Sequence, residues 1–448
     1  MKNRSINRTK SLDHSNHTKF GLLFFLLINV SLIFLFLNPF LSNIIEKSLD
    51  EYFLEGIDER IREVRMDSFQ IQISYSNGTP ISNSEVEIEL LNHDFFFGCN
   101  IFNFNQTGTP EGDQLYIKYF KNLFNLATIP FYWSQYEPTP GKYPRDPWIS
   151  DVISWSHQNN ITTKGHPLAW RNPAGYPDWL PEDYDKIEED LQSRIERITN
   201  MYKDKIAIWD VVNEPTHLPS FGDWDNIEYL SKCFQWTDTN APQAKLTVND
   251  YGILGHDFGF GPYAQIISEA LKHKIPIDYI GLQGREPRLN WIPAGDIWRT
   301  LEAYGRFDLP IHITEFTCPS SHLPITNSWK KGLWTEENQA EYTKRMYKIC
   351  FSHPEVEAII WWDLWDGGSW VQQGGLLNVD FQPKPVYEML ERLINEEWYT
   401  QGMYQTDENG KLSFDGFFGL YNISLPGYKT HQLINAGRQR SNFFNLTI

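Results

Sequence analysis

IAIWDVVNEP, residues 206–215, is a short run of apolar and β-branched side chains that ends on a glutamate, Glu214. Such a continuous run reads as a strand buried on both faces, because a strand with one wet face would alternate with polar residues. Seven more runs share the pattern: FFFGCN (95–100), LATIPF (126–131), TTKGHPLAW (162–170), KLTVNDY (245–251), YIGLQG (279–284), IHITEF (311–316) and AIIWWDL (358–364). Amphipathic stretches such as 184–202 and 335–352 lie between several of them.

Eight β/α units in about 300 residues predict an α/β fold, the closed (β/α)8 TIM barrel, over residues 95–395. A doubly wound open sheet is the alternative, but no glycine-rich phosphate loop is present to support it. In the barrel the C-terminal strand ends build the site. Glu214 then leaves the fourth strand and Glu315, in HITEF, the seventh. Two carboxyls presented in this way are suited to breaking glycosidic bonds. One protonates the leaving oxygen, and in retaining enzymes the other attacks the sugar carbon from about 5–5.5 Å away.

The flanks read differently. Residues 1–19 carry five basic side chains against Asp13, and residues 20–41 are almost wholly apolar. About 20 such residues span a bilayer, and no small-residue cleavage site follows. The expectation is a cytoplasmic basic tail (1–19) and a transmembrane anchor (20–41), with the catalytic part extracellular or lumenal. Secretion after cleavage is the alternative. Five N-x-S/T sequons beyond that span, at Asn77, Asn105, Asn160, Asn422 and Asn445, are compatible with secretory passage.

Apolar residues every fourth position over 43–65 predict an amphipathic helical stalk, or a surface helix packed on the next domain. Alternation at Phe69, Ile71, Ile73 and at Val86, Ile88, Leu90 around an NGTP turn reads as a β-hairpin, an accessory β unit at 66–94. A C-terminal β extension, 396–448, has the same character. Together the two ends are expected to make a small sandwich-like unit.

Composition narrows the partners. The chain of 448 residues has a net charge of −18 and a pI near 5.1, which argues against nucleic acid. Seventeen Trp, 22 Tyr and 29 Phe supply rings on which sugar C–H faces could dock. Four scattered cysteines form neither a disulfide framework nor a metal motif, so no metal and no cofactor is expected. Nothing in the sequence calls for an oligomer, and a monomer is expected.

The runs GHPLAW, WDVVNEP, VNDYG, IGLQG, ITEF and WDGGSW, followed by GLLNVDFQPKPVYEML, together resemble glycoside hydrolase family 10, the endo-β-1,4-xylanase family. The resemblance spans roughly residues 95–395. It implies Glu214 as acid/base and Glu315 as nucleophile. It also implies Asn213 at the sugar 2-OH, His166 and Trp170 at the −1 sugar, and Gln283 from the sixth strand. Trp362 and Trp370 would wall the cleft, and Tyr251 would touch the leaving-group side.

Three departures stand out. Arg285 and Thr317 occupy the positions of a histidine and an aspartate that steady the family's nucleophile, and Arg285 is expected to clamp Glu315 instead. Thr128-Ile129-Pro130-Phe131-Tyr132-Trp133 replaces the E-N-x-M-K-W whose polar residues grip glycone-side sugars. Arg171 replaces the second histidine of the third-strand motif.

The expected activity is that of a retaining endo-β-1,4-glycanase, first of all a xylanase, hydrolysing polysaccharide by double displacement. The alternatives are a weak or inactive glycan-binding barrel, and a transglycosylase using the same carboxylates.

Overall fold

The computed structural model describes residues 39–217, 224–284, 288–428, 430–438 and 440–448. The basic tail, nearly all of the apolar segment at 20–41, and Arg285 lie outside the described residues. Among the described residues no helix is long and apolar enough to cross a membrane.

The stretch expected as a helical stalk or a packed surface helix is two helices, Pro39–Leu54 and Ile57–Arg65, broken at Gly56, whose φ of 68° favours glycine. Both are docked rather than free. The Asp50 carboxylate is buried, accepting from the Ala294 backbone and from Trp329 Nε1, and it pairs with Arg345. Arg65 donates to the carbonyls of Phe351, His353 and Val356 at 2.7, 2.7 and 2.6 Å, capping the end of helix Glu336–Ser352.

Two strands follow, β1 (Met66–Ser74) and β2 (Glu85–His93). They are not the two arms of a hairpin. β1 joins a three-stranded sheet with β12 (Lys411–Phe417) and β15 (Phe443–Thr447), whereas β2 joins β11 (Gln401–Gln405), β13 (Gly419–Leu425) and β14 (Thr430–Ala436). The NGTP turn closes only a short loop, with Tyr75 N donating to Thr79 O and Ile81 N to Ile73 O. The alternating residues Phe69, Ile71, Ile73 and Val86, Ile88, Leu90 are all buried in one core cluster. Alternation reports which face of a strand is apolar, not which strand pairs along its edge.

Between these two ends lies a closed barrel of eight parallel strands: β3 (Phe96–Asn100), β4 (Leu126–Pro130), β5 (Thr162–His166), β6 (Ile208–Asn213), β7 (Lys245–Asp250), β8 (Tyr279–Leu282), β9 (Ile311–Phe316) and β10 (Val356–Trp361), with β10 pairing back onto β3. Seven fall within the apolar runs, and β10 overlaps the eighth, starting two residues before it. Helices such as Tyr184–Met201 and Asn226–Asn240 cover the outside, started by Asp183 and Asp225 whose carboxylates accept first-turn N–H groups.

Inside, Phe96, Leu126, Ile208, Tyr279, Ala358 and Ile360 form a small apolar cluster of their own. Two residues further along the same faces stand Thr128, Asp210 and Trp362. The barrel is therefore sealed by hydrocarbon low down and becomes polar towards its strand C-termini.

Candidate active site

Glu315 lies one residue before the end of β9 and is 1% exposed. Asn249, near the end of β7, donates from Nδ2 to Glu315 Oε1 at 3.0 Å and to Asn213 Oδ1 at 2.8 Å. Its own oxygen accepts from Thr314 Oγ1 at 2.5 Å. One amide thus holds the Glu315 carboxylate and fixes Asn213, whose own nitrogen is left as the donor. His166, the last residue of β5, puts Nε2 3.8 Å from Glu315 Oε1.

Behind His166 runs a buried relay. Nδ1 sits 2.8 Å from Asp210 Oδ2, and Asp210 Oδ1 is 2.8 Å from Lys164 Nζ. Burial pushes the Asp210 carboxyl up, but the Lys164 ammonium and the His166 hydrogen bond together hold it below the usual carboxylate range. An ionised Asp210 fixes the proton on His166 Nδ1 and turns Nε2 towards Glu315. Gly165 makes the geometry possible: a Cβ there would meet the Trp209 ring at 2.1 Å.

Glu214 follows β6 immediately, with φ of 55°. That left-handed conformation is uncommon for a side chain with a Cβ. It is pinned by the Glu214 N–H, which donates to Asn249 O at 2.7 Å. Gln283 Nε2 donates to Glu214 Oε1 at 3.0 Å, and Trp170 Nε1 donates to Oε2 at 2.8 Å. Both carboxyls are largely buried at the strand C-termini and share Asn249: its carbonyl bonds the backbone of Glu214 and its amide bonds the carboxylate of Glu315.

The remaining expected residues spread around the mouth. Trp362 is buried just past β10, its ring 5.3 Å from His166. Trp370 is half exposed, with its backbone N–H on Asp363 Oδ2 and the Arg288 guanidinium 3.7 Å over its ring. Tyr251 stacks on His217 at 3.6 Å, and His217 Nδ1 lies 2.7 Å from Asp250 Oδ1.

The departures also find places. Thr317 donates to Gly374 O at 3.1 Å and so serves the loop after β10. Arg171 donates to Asn226 Oδ1 and packs on the Tyr229 ring, a structural position. The clamp expected of Arg285 falls outside the described residues.

Several participants escaped the sequence reading. Asn249, Asp210 and Lys164 lie inside the quoted runs; their signal was a charge or amide in an otherwise apolar buried strand, which has to be partnered. Phe102 and Tyr132 complete an arc of rings. Phe102 meets Trp362 at 5.2 Å and Tyr132 at 5.9 Å, and Tyr132 meets His166 and Trp170, each at 5.7 Å.

A closed parallel barrel bearing two buried carboxyls on different strands, wrapped by aromatic rings, has the equipment of a sugar-processing barrel. The sequence model of glycosyl hydrolase family 10 matches residues 92–392, and the chain belongs to that family. Anti-sigma-I factor RsgI6 of Acetivibrio thermocellus is 26% identical over 392 residues, 86% of this chain and 48% of its own length. The chain thus spans about half of that relative. Endo-1,4-beta-xylanase B of Thermotoga neapolitana is 27% identical over 308 residues, covering 64% of this chain and 85% of its own. The fold is also that of xylanase 10B from Thermotoga petrophila RKU-1, solved in complex with xylobiose: the TM-score is 0.56 at 24% identity, over 68% of this chain and 95% of that one.

Proposed function

We propose that this protein is a retaining endo-β-1,4-glycanase whose first substrate is xylan. The observation that carries the reading is the carboxyl pair held through Asn249. Glu315 attacks the anomeric carbon while Glu214 protonates the leaving oxygen; Glu214 then takes a proton from water, which releases the sugar from Glu315.

The surrounding residues divide these tasks. Asn249 and the His166–Asp210–Lys164 relay keep Glu315 oriented. Trp170 and Gln283 hold Glu214 at its two oxygens. Asn213 offers its amide to the sugar 2-OH, a bond that strengthens in the transition state. Trp362 and Trp370 wall the cleft and Tyr251 touches the leaving-group side. Arg285 would add a permanent cation near Glu315. The chemistry calls for no cofactor.

We also infer from residues 1–41 a single-pass anchor with the barrel outside the cytoplasm. The catalytic reading is tested with an aryl β-xyloside, which should give a burst of released aryl group that Glu315→Gln abolishes. A steady rate shared by wild type and variant would reject it. A panel of purified β-glycans, read by new reducing ends, identifies the polymer.

A further inference from the structure

The two N-terminal helices follow the outer wall of the barrel in one direction. In a (β/α)8 barrel the loops that follow strands lie at the mouth, and each helix then runs from mouth to floor. Lys47 Nζ is 6.0 Å from the centre of the Trp329 ring, in the loop after β9. Asp50 accepts from the N–H of Ala294, the first residue of helix Ala294–Gly305 after β8, and from Trp329 Nε1. Phe53 packs at 5.5 Å on Trp298, one turn further down that helix. Asp58 pairs at 2.6 Å with Lys348, late in helix Glu336–Ser352, and Arg65 reaches the carbonyls at that helix's floor end. From Lys47 to Arg65 the chain therefore descends from mouth to floor, and its approach to Lys47 is from the mouth side.

The docked wall and the apolar segment are joined without a loop, because helix Pro39–Leu54 begins inside residues 20–41. At 1.5 Å per residue, position 41 lies about 14 Å along the helix axis from Asp50. Asp50 is buried and paired with Arg345, so the helix cannot swing away without stranding a buried ion. Beside it the loop after β9 folds back on itself, with His322 N donating to Trp334 O at 2.8 Å and Ile325 N to Gly332 O at 2.9 Å. Leu323, Lys331 and Leu333 are exposed on this hairpin. Apolar side chains beside a lysine, whose long stem carries its ammonium to headgroups, suit a lipid–water boundary.

We propose that the docked helices hold the barrel with its mouth towards the bilayer, and that hairpin 322–334 rests on the lipid headgroups. The proposal depends on the anchor inferred above and adds which face of the barrel the membrane sees. The cleft then works on glycan chains that pass close to the membrane.

The test uses the full chain in phosphatidylcholine vesicles whose headgroups carry an energy acceptor. The four native cysteines are buried, so a donor dye goes to one introduced cysteine. Leu333→Cys places it at the mouth, and Met201→Cys at the exposed floor end of helix Tyr184–Met201. A wall helix of this barrel is about 25 Å long, so transfer from position 333 should exceed that from position 201 at least about twofold. Adding Asp50→Ala releases the helix and should bring the two transfers towards equality. The burst from an aryl β-xyloside shows in each labelled protein that the barrel is folded. Equal transfer without Asp50→Ala, or more from the floor, in a chain still retained after an alkaline wash, refutes the orientation and leaves the anchor standing. A chain stripped from the vesicles by that wash refutes the anchor, and the orientation with it. An unchanged difference in Asp50→Ala overturns the claim that the docked helix sets the orientation.

Discussion

Replacing Lys164 by Met isolates the relay beneath the nucleophile. The Lys164 ammonium lies 2.8 Å from Asp210 Oδ1, and the two side chains are 0% and 1% exposed. At that distance and an effective dielectric of 20, their attraction is about 6 kcal/mol. Desolvating two ions costs several kcal/mol each, so the intact pair is close to neutral for stability. Removing one partner is different, because the other is left buried and uncompensated, at about 3–5 kcal/mol. Lys164→Met should fall at the lower end, since His166 still faces the Asp210 carboxylate. Asp210→Asn should fall at the upper end, with no anion left for Lys164. The double variant should cost no more than Asp210→Asn alone, about 5 kcal/mol against summed single losses of about 8, a coupling of about 3 kcal/mol. Urea unfolding of all four proteins measures this. Asp210→Asn should also lower kcat at least about tenfold, because His166 loses the carboxylate that aims it at Glu315, whereas Lys164→Met, which keeps that carboxylate, should lower it less. Single variants each costing under about 1 kcal/mol, with a double equal to their sum, would refute the reasoning.

Other outcomes follow from neighbouring contacts. Glu214→Gln should cut xylan turnover by about 10²- to 10⁴-fold, yet leave the first burst from an aryl glycoside with a highly acidic phenol, which departs unprotonated. Gln283→Ala removes a donor to the Glu214 carboxylate, so the alkaline limb of the kcat/KM profile should move to higher pH. Arg65→Met strands three backbone carbonyls bonded at 2.6–2.7 Å and should cost about 3–5 kcal/mol in urea, with activity per folded molecule unchanged. Burial and then the Arg65 charge hold the His353 imidazole down to about 3, and burial holds His312 well below its usual range. Between about 6.5 and these values the unfolded chain binds protons that the native one refuses, so stability should fall as pH drops through that window. His353→Gln should flatten the fall in Tm between pH 7 and pH 4.

The barrel was legible because its strands are buried on both faces and read as unbroken apolar runs, each with a counterpart among β3–β10. Glu214 and Glu315 were legible because a carboxylate at the end of such a run has to be put to use or paired. The accessory strands were less so. Period-two patterning at Phe69–Ile73 and Val86–Leu90 fixes an apolar face, but edge partners come from β11–β15, more than 300 residues away. The bend within 43–65 was not legible, because every-fourth-residue spacing does not say where the chain turns, which here is at Gly56. Asn249 and Lys164 became visible only through strand register: Asn213 pairs with Asn249, and Lys164 with Ile208, two residues before Asp210.

The central claim is that Glu315 forms a covalent bond to the sugar. Incubation with a 2-deoxy-2-fluoro aryl β-xylobioside, which slows release of a glycosyl-enzyme, followed by peptic digestion and mass spectrometry, tests it directly. The expected result is one difluoro-free, singly fluorinated disaccharide adduct on the peptide containing Glu315, absent in Glu315→Gln. No adduct, together with first release of the α anomer from a β-linked substrate, would contradict the account.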